Sequence, residues 1–436
     1  MIIPTPRFWV LVGLGIPLAI IGAAIPGLEK LIVPYNLALF FVLFLSAWMA
    51  KRQGELRVTR RHDHALSVRV PNRVELTLEY EGHRPWSGRI REVPPESMHA
   101  DQVEFEVEIA PFHSKELVYH VLPSRRGLDQ FGDVYARILA PFGLCEVQQI
   151  LPASAPARTY PNLLALREFE LLKQRGRLSL MGIRKSRIKG QGTEFESLRE
   201  YHDDDYRKVD WKTTARKGKL VVRDYETERN QAVIVCLDAG RHMLAEVDGV
   251  PKIDLALDAS LMLLEAARSY NDQTGLLVFS DRVQSYIPPK KGRAQIGLIL
   301  DAIHDLEADP IESDYDTAMS YFSSRWKRRS LIVFFTDSED EEQATRLQRA
   351  IAGIVRRHLV MVVRVSDPRL KEIMNLSLTE DRDLFQRAAG LWYSTERKLA
   401  ERRLALQGVQ NIDAEPAELA QALVSAYIVA KETAAL

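Results

Sequence analysis

Gln231-Ala232-Val233-Ile234-Val235-Cys236-Leu237-Asp238-Ala239-Gly240-Arg241-His242 is the stretch that decides the fold. From Ala232 to Leu237 it is continuously apolar and rich in β-branched residues, without polar alternation, so it reads as a strand covered on both faces. Asp238 ends the run. Downstream, Ile253 to Tyr270 carries apolar residues at helical spacing, and Gly275 to Phe279 is a second buried strand. Arg293 to Leu306 and Asp316 to Trp326 read as amphipathic helices, and Leu331 to Phe335 as a strand ending in Thr336-Asp337. Leu359 to Val365 is a strand that follows a helix including Leu347 to Val355. This alternation predicts a doubly wound α/β domain with a mainly parallel sheet over residues 231–436, closed by a helix-rich tail from Arg382 to Glu432. Ligands of such sheets sit outside the carboxyl ends of the strands, where Asp238, Ser280-Asp281 and Asp337 fall.

Upstream the chain changes character. Residues 62–158 lack helical periodicity and hold alternating runs, Val74 to Tyr80 and Val103 to Ile109 among them, with apolar side chains on one face and glutamates on the other. Turns at Glu81-Gly82 and Arg126-Gly127 complete the pattern of an all-β sandwich. Residues 1–52 predict a transmembrane α-hairpin. No charged side chain occurs from Phe8 to Leu28 or from Leu31 to Ala50, stretches of 21 and 20 residues, each long enough for a helix to span. Arg7 precedes the pair, and Lys51, Arg52, Arg57, Arg60 and Arg61 follow it. The positive-inside rule then puts both flanks and the large domains in the cytoplasm of a multi-pass inner-membrane protein. The alternative is a cleaved signal peptide with a small-residue patch at Gly22-Ala23-Ala24, against which stands the second span directly behind it.

The chain has 436 residues, too many for a single small domain, and its 59 Lys plus Arg balance 59 Asp plus Glu. No net field draws it to nucleic acid. Two cysteines, Cys145 and Cys236, exclude a disulfide framework or a Cys-rich zinc site. The remaining segment, residues 159–230, joins a helix-prone stretch to a block of dense mixed charge. Of the 46 residues from Arg184 to Arg229, 13 are Lys or Arg and 10 are Asp or Glu.

Within that block stand Gly190-Gln191-Gly192-Thr193-Glu194-Phe195-Glu196-Ser197-Leu198-Arg199-Glu200-Tyr201 and Asp205-Tyr206-Arg207-Lys208-Val209-Asp210-Trp211-Lys212-Thr213-Thr214-Ala215-Arg216. Together they resemble the signature of the bacterial domain of unknown function 58 family. Leu220 to Glu228 continues the likeness, and Arg125-Arg126-Gly127 and Pro141-Phe142-Gly143-Leu144 resemble the family's upstream landmarks. The resemblance implies a membrane hairpin, a β-sandwich and a von Willebrand factor A-like α/β domain. It also implies association with MoxR-type AAA+ ATPases, and hence an adaptor role.

A von Willebrand factor A domain holds Mg²⁺ through Asp-x-Ser-x-Ser after its first strand, a hydroxyl from a later loop and an Asp after a further strand, hard oxygen ligands that suit this ion. The resemblance lays these onto Asp238, Ser313 and Asp337, but Gly240 and His242 replace both serines. No cofactor is therefore expected, with Mg²⁺ at those three residues as the alternative. The plainer reading has Asp238 and Asp337 bonding loop amides and Arg241. In the signature block Glu194, Arg199, Tyr201, Asp205, Arg207, Asp210, Trp211, Arg216, Arg223, Glu226 and Glu228 are expected to form a salt-bridged network docked on the α/β domain, with Tyr201 and Trp211 buried. The competing reading gives the same residues to a partner or an acidic ligand. An enzyme would use Asp205 and Asp210 as acid and base, but no nucleophile–base pair accompanies them, and no P-loop Lys-Ser/Thr follows Gly190-x-Gly192. The expectation is a noncatalytic, membrane-anchored interaction protein working with a MoxR-type ATPase. A hydrolase or transferase built on the charged block, and a passive membrane scaffold, are the alternatives.

Overall fold

Val74, Leu76, Leu78 and Tyr80 alternate with polar residues along Asn72–Glu81, and all four are buried. A computed structural model describes residues 1–24, 32–52, 54–161, 170–171, 194–201, 209–226, 231–337, 341–375 and 381–433. They divide into two units, Met1–Tyr160 and Pro161–Leu436. The first is β-rich. One sheet runs in the order Ile2–Pro4, Cys145–Leu151, Val134–Leu139, Trp86–Arg91, Glu104–Ile109, and another in the order Glu55–His62, Asn72–Glu81, Ser114–Pro123, Met98–Ala100. A third joins Leu66–Ser67, Ala155–Tyr160 and Gly127–Phe131. Their inward residues, Leu76 and Tyr119 with Trp86 and Val107, share one core. The strands reach from Glu55 to Tyr160, beyond the expected 62–158, because period-two burial extends past the charged run Arg57 to Arg61. Ile2–Pro4 adds an unexpected edge strand, antiparallel to Cys145–Val147.

Two helices follow that edge strand, Pro6–Ala24 and Ile32–Lys51. They touch through the Tyr35 hydroxyl, which donates to the Leu11 carbonyl at 2.7 Å. The second helix lays Leu39, Leu43, Ala47 and Ala50 against Ala140, Leu144 and Val147 of the β-rich region. Among the described residues one segment, Val33–Lys51, is long and apolar enough to cross a membrane, where two were expected.

In the second unit the sheet strands are β1 (Ala232–Asp238), β2 (Gln273–Phe279), β3 (Val283–Lys290), β4 (Leu331–Phe335), β5 (Leu359–Val365) and β6 (Gln410–Ala414). The helices are α1 (Lys252–Ser269), α2 (Arg293–Ile303), α3 (Tyr315–Arg325), α4 (Glu341–Val355), α5 (Pro368–Met374), α6 (Asp381–Leu406) and α7 (Pro416–Glu432). Strand order is β3-β2-β1-β4-β5-β6, parallel except for β3. Every residue of β1 is buried, as its unbroken apolar run requires. Val233, Val235 and Leu237 pack under α1, α2 and α7, while Ile234 and Cys236 pack under α3, α4 and α6. The helical tail contains a strand that its composition hides: β6 reads Gln-Asn-Ile-Asp-Ala. The chain leaves β1 for β2 on one side and later returns to β4 on the other. The topological switch point therefore lies between the carboxyl ends of β1 and β4.

Candidate functional site at the carboxyl edge of the sheet

β1 delivers Asp238 to the switch point, and the end of β4 delivers Thr336 and Asp337. Both aspartates are 1% exposed, so each needs partners that offset the loss of water. Asp238 has four. Its Oδ1 accepts from the Gly240 amide at 2.9 Å and from the Ser313 hydroxyl. Its Oδ2 accepts from Thr336 Oγ1 at 2.6 Å and from the Tyr315 hydroxyl at 3.1 Å. Burial, and then the charge of Asp238, push the Tyr315 hydroxyl well above its ordinary value, so it remains a donor. Ser313 and Tyr315 flank Asp314, the N-cap of α3, whose Oδ1 accepts from the Thr317 amide at 2.9 Å. That cap fixes how α3 presents both hydroxyls.

Asp337 is held differently. Its Oδ2 takes the ammonium of Lys252, the first residue of α1, at 2.5 Å, and Lys252 is itself buried. Its Oδ1 is buried without a hydrogen-bond partner among the described residues. Arg364 of β5 and Arg397 of α6 lie close enough to feel the Asp337 charge. Burial lowers the Arg364 guanidinium below its ordinary value. Burial also opposes charge on Arg397, but Asp337 and Asp413 outweigh it and leave that group raised. Arg397 donates to Asp413 at 3.0 Å.

A divalent ion does not fit these residues. Mg²⁺ demands near-octahedral oxygens with open lone pairs, whereas Asp238 already accepts four hydrogen bonds and Lys252 stands on Asp337. A Cβ added at Gly240 would stand 2.0 Å from Ser313 Oγ, so a serine there has no room while Ser313 faces Asp238. The plainer sequence reading holds in part. Asp238 does bind a loop amide, but Arg241 turns to Glu312, with Nη2 3.3 Å from Oε2. Around this rim His242 Nε2 meets Arg241 Nε at 3.0 Å and the Gln343 amide, which also donates to Glu312 at 2.8 Å. The Arg241 amide donates to the Ile311 carbonyl at 2.8 Å, joining two loops on which Leu244 and Ile311 are exposed.

The signature block forms a hairpin, Glu194–Glu200 antiparallel to Val221–Glu226, with the short helix Trp211–Lys217 between its strands. Asp210 is buried and caps that helix, accepting from the Thr213 amide at 3.0 Å. Trp211 corrects the expectation outright: it is 63% exposed at the first helical position. Tyr201 is half-buried and Arg216 is exposed. The register sets Glu194 opposite Glu226, Arg199 opposite Val222 and Arg223 opposite Leu198. Asp205, Arg207 and Glu228 lie outside the described residues. Lys252 is the site residue that sequence reasoning missed, since a lysine opening an amphipathic helix gives no sign of burial.

Comparison with solved structures finds similarity at low identity. BatB, a conserved hypothetical protein from Bacteroides thetaiotaomicron, is 14% identical with a TM-score of 0.32, covering 46% of this chain and 98% of that one. An aerotolerance-related membrane protein from Bacteroides fragilis is 13% identical with a TM-score of 0.31, covering 46% and 99%. The CARDB domain of a Pyrococcus furiosus protein is 12% identical with a TM-score of 0.18, covering 24% and 88%. No curated protein matches the sequence. Residues 197–392, from the first strand of the signature hairpin to the middle of α6, match the model described as Protein of unknown function DUF58.

Proposed function

We propose that this chain is a membrane-anchored protein-interaction module whose von Willebrand factor A-like domain engages a partner, a MoxR-type AAA+ ATPase, at the carboxyl edge of its sheet. The observation that carries the reading is the contrast between floor and rim. The floor carboxylates are committed to Ser313, Tyr315, Thr336 and Lys252. The rim offers the exposed Arg241–Glu312 pair beside exposed Leu244 and Ile311. Arginine and apolar side chains side by side suit a protein partner. In the same reading the amino-terminal helices form a two-pass hairpin of the inner membrane with both large regions in the cytoplasm. The pairing of Ile2 with Val147 supports this, because it returns the amino end to the region that follows the second helix.

The test is capture of the full chain from native membranes. Recovery of an AAA+ ATPase, lost in Arg241→Glu and Ile311→Glu chains of unchanged melting temperature, is the expected result. Capture that lacks such an ATPase, or that ignores both substitutions, overturns the reading. A reporter enzyme fused after Leu436 checks the topology, and activity confined to periplasm-sensing reporters would reverse it.

A further inference from the structure

We propose that Lys252 is the resident cation of the switch-point crevice. Its ammonium supplies the charge that Asp337 would otherwise need from a metal, and it keeps divalent ions out. A buried carboxylate without a counter-charge is costly enough that a partner is obligatory. Lys252 meets that need at 2.5 Å, from a position itself 6% exposed. Arg364 and Arg397 add positive field at the same carboxylate, so an incoming ion of charge +2 meets repulsion that only the loss of a cation relieves.

The neighbouring groups leave Asp337 as the carboxylate that a metal would reach once the ammonium is gone. Asp238 has no open acceptor direction, because each oxygen takes two donors. Gly240 leaves its own position without an oxygen ligand, and the Ser313 hydroxyl that crowds it is turned onto Asp238. What the crevice retains is a latent donor set. With the ammonium removed, Asp337 would present both oxygens, one of them already without a hydrogen bond among the described residues. The proposal holds whether or not the rim binds a protein.

The experiment uses the full chain in detergent after treatment with EDTA. Calorimetric titration with MgCl₂ and MnCl₂, and thermal unfolding in both, should show no binding and no shift for the unaltered protein. Lys252→Ala should lower the melting temperature by roughly 5–10 °C and recover at least half of that loss in millimolar Mn²⁺. Adding Asp337→Asn to Lys252→Ala should abolish the recovery. Saturable stoichiometric binding of Mg²⁺ or Mn²⁺ by the unaltered chain overturns the proposal. A folded Lys252→Ala chain that takes up no Mn²⁺ overturns it too, since the ammonium would then not be what excludes the ion. If Lys252→Ala does not fold, electron paramagnetic resonance of Mn²⁺ with the unaltered chain decides: free Mn²⁺ supports the proposal and bound Mn²⁺ refutes it.

Discussion

At the amino edge of the sheet Asp272 Oδ2 takes the Lys431 ammonium at 2.5 Å and the Tyr427 hydroxyl at 2.6 Å, while Oδ1 takes the Gln231 amide at 3.2 Å. At the carboxyl edge Asp337 Oδ2 takes the Lys252 ammonium at the same 2.5 Å, and its Oδ1 takes no hydrogen bond among the described residues. Both are buried aspartate–lysine pairs, yet among the described residues only the first uses both oxygens. Asp272 ties α7 to the entries of β1 and β2, so its bonds fix geometry. Asp337 chiefly balances charge at the place where open α/β sheets meet their ligands. A buried ion pair is weak testimony to stability by itself, and the hydrogen bonds around it distinguish a staple from a site.

The largest effect separating the two edges should come from Asp272→Ala. It strands Lys431 and strips bonds from Tyr427 and the Gln231 amide, with an expected loss of about 3–5 kcal/mol in urea denaturation. A loss below about 1 kcal/mol would erase the distinction. Next comes His358, which opens β5 at the amino edge. Burial first, and then the charge of Arg357, lower its imidazole to about 4. The folded value lies below the unfolded one, near 6.5, so the unfolded chain binds the proton first. Stability should therefore fall as pH drops from 6.5 to about 4, by up to about 3 kcal/mol, and this component should level off below that. Urea midpoints at three pH values should show the slope in the unaltered chain and a flatter line in His358→Gln.

Two substitutions beside the Lys252–Asp337 pair at the carboxyl edge should have smaller effects. Gly240→Ser must push Ser313 off Asp238, since the new Cβ would stand 2.0 Å from its hydroxyl. The expected cost is about 1–3 kcal/mol, read as a lowered melting temperature. An unchanged value would show that the floor yields more easily than its bonds imply. Arg241→Ala should be the smallest, within about 0.5 kcal/mol, because an exposed ion pair contributes little. Its effect belongs in partner capture instead. A destabilisation of several kcal/mol would mark the rim as structure rather than surface.

How far the sequence could be read follows from the same physics. β1, β2, β4 and β5 are built on apolar runs, interrupted in β5 by Arg364, because helices cover them on both faces, and such runs are visible without neighbours. β3 and β6 are edges. One carries Pro288 and Pro289, the other is mostly polar, and neither has the burial that writes a strand into composition. Asp238 and Asp337 could be placed because they end buried strands, whereas Ser313 came only from the family resemblance. Lys252 could not, since its burial depends on what the fold packs against it. Trp211 misled for a related reason: an aromatic in a charged block suggests packing, but here it opens a helix whose cap, Asp210, is the buried member.

The edge strand Ile2–Pro4 has a consequence for biogenesis. Its partner, Cys145–Val147, is made long after both apolar helices have left the ribosome. Ile2–Pro4 must therefore wait, unpaired, while the helices are inserted and most of the β-rich region is still to come. Docking of Ile2 beside Val147 is then a late closing step, and it covers a sheet edge that would otherwise stand open to pairing with another chain. A bulky fusion at Met1, whose ammonium donates to the Gln148 carbonyl at 2.8 Å, would strain that last step more than the folding of either helix.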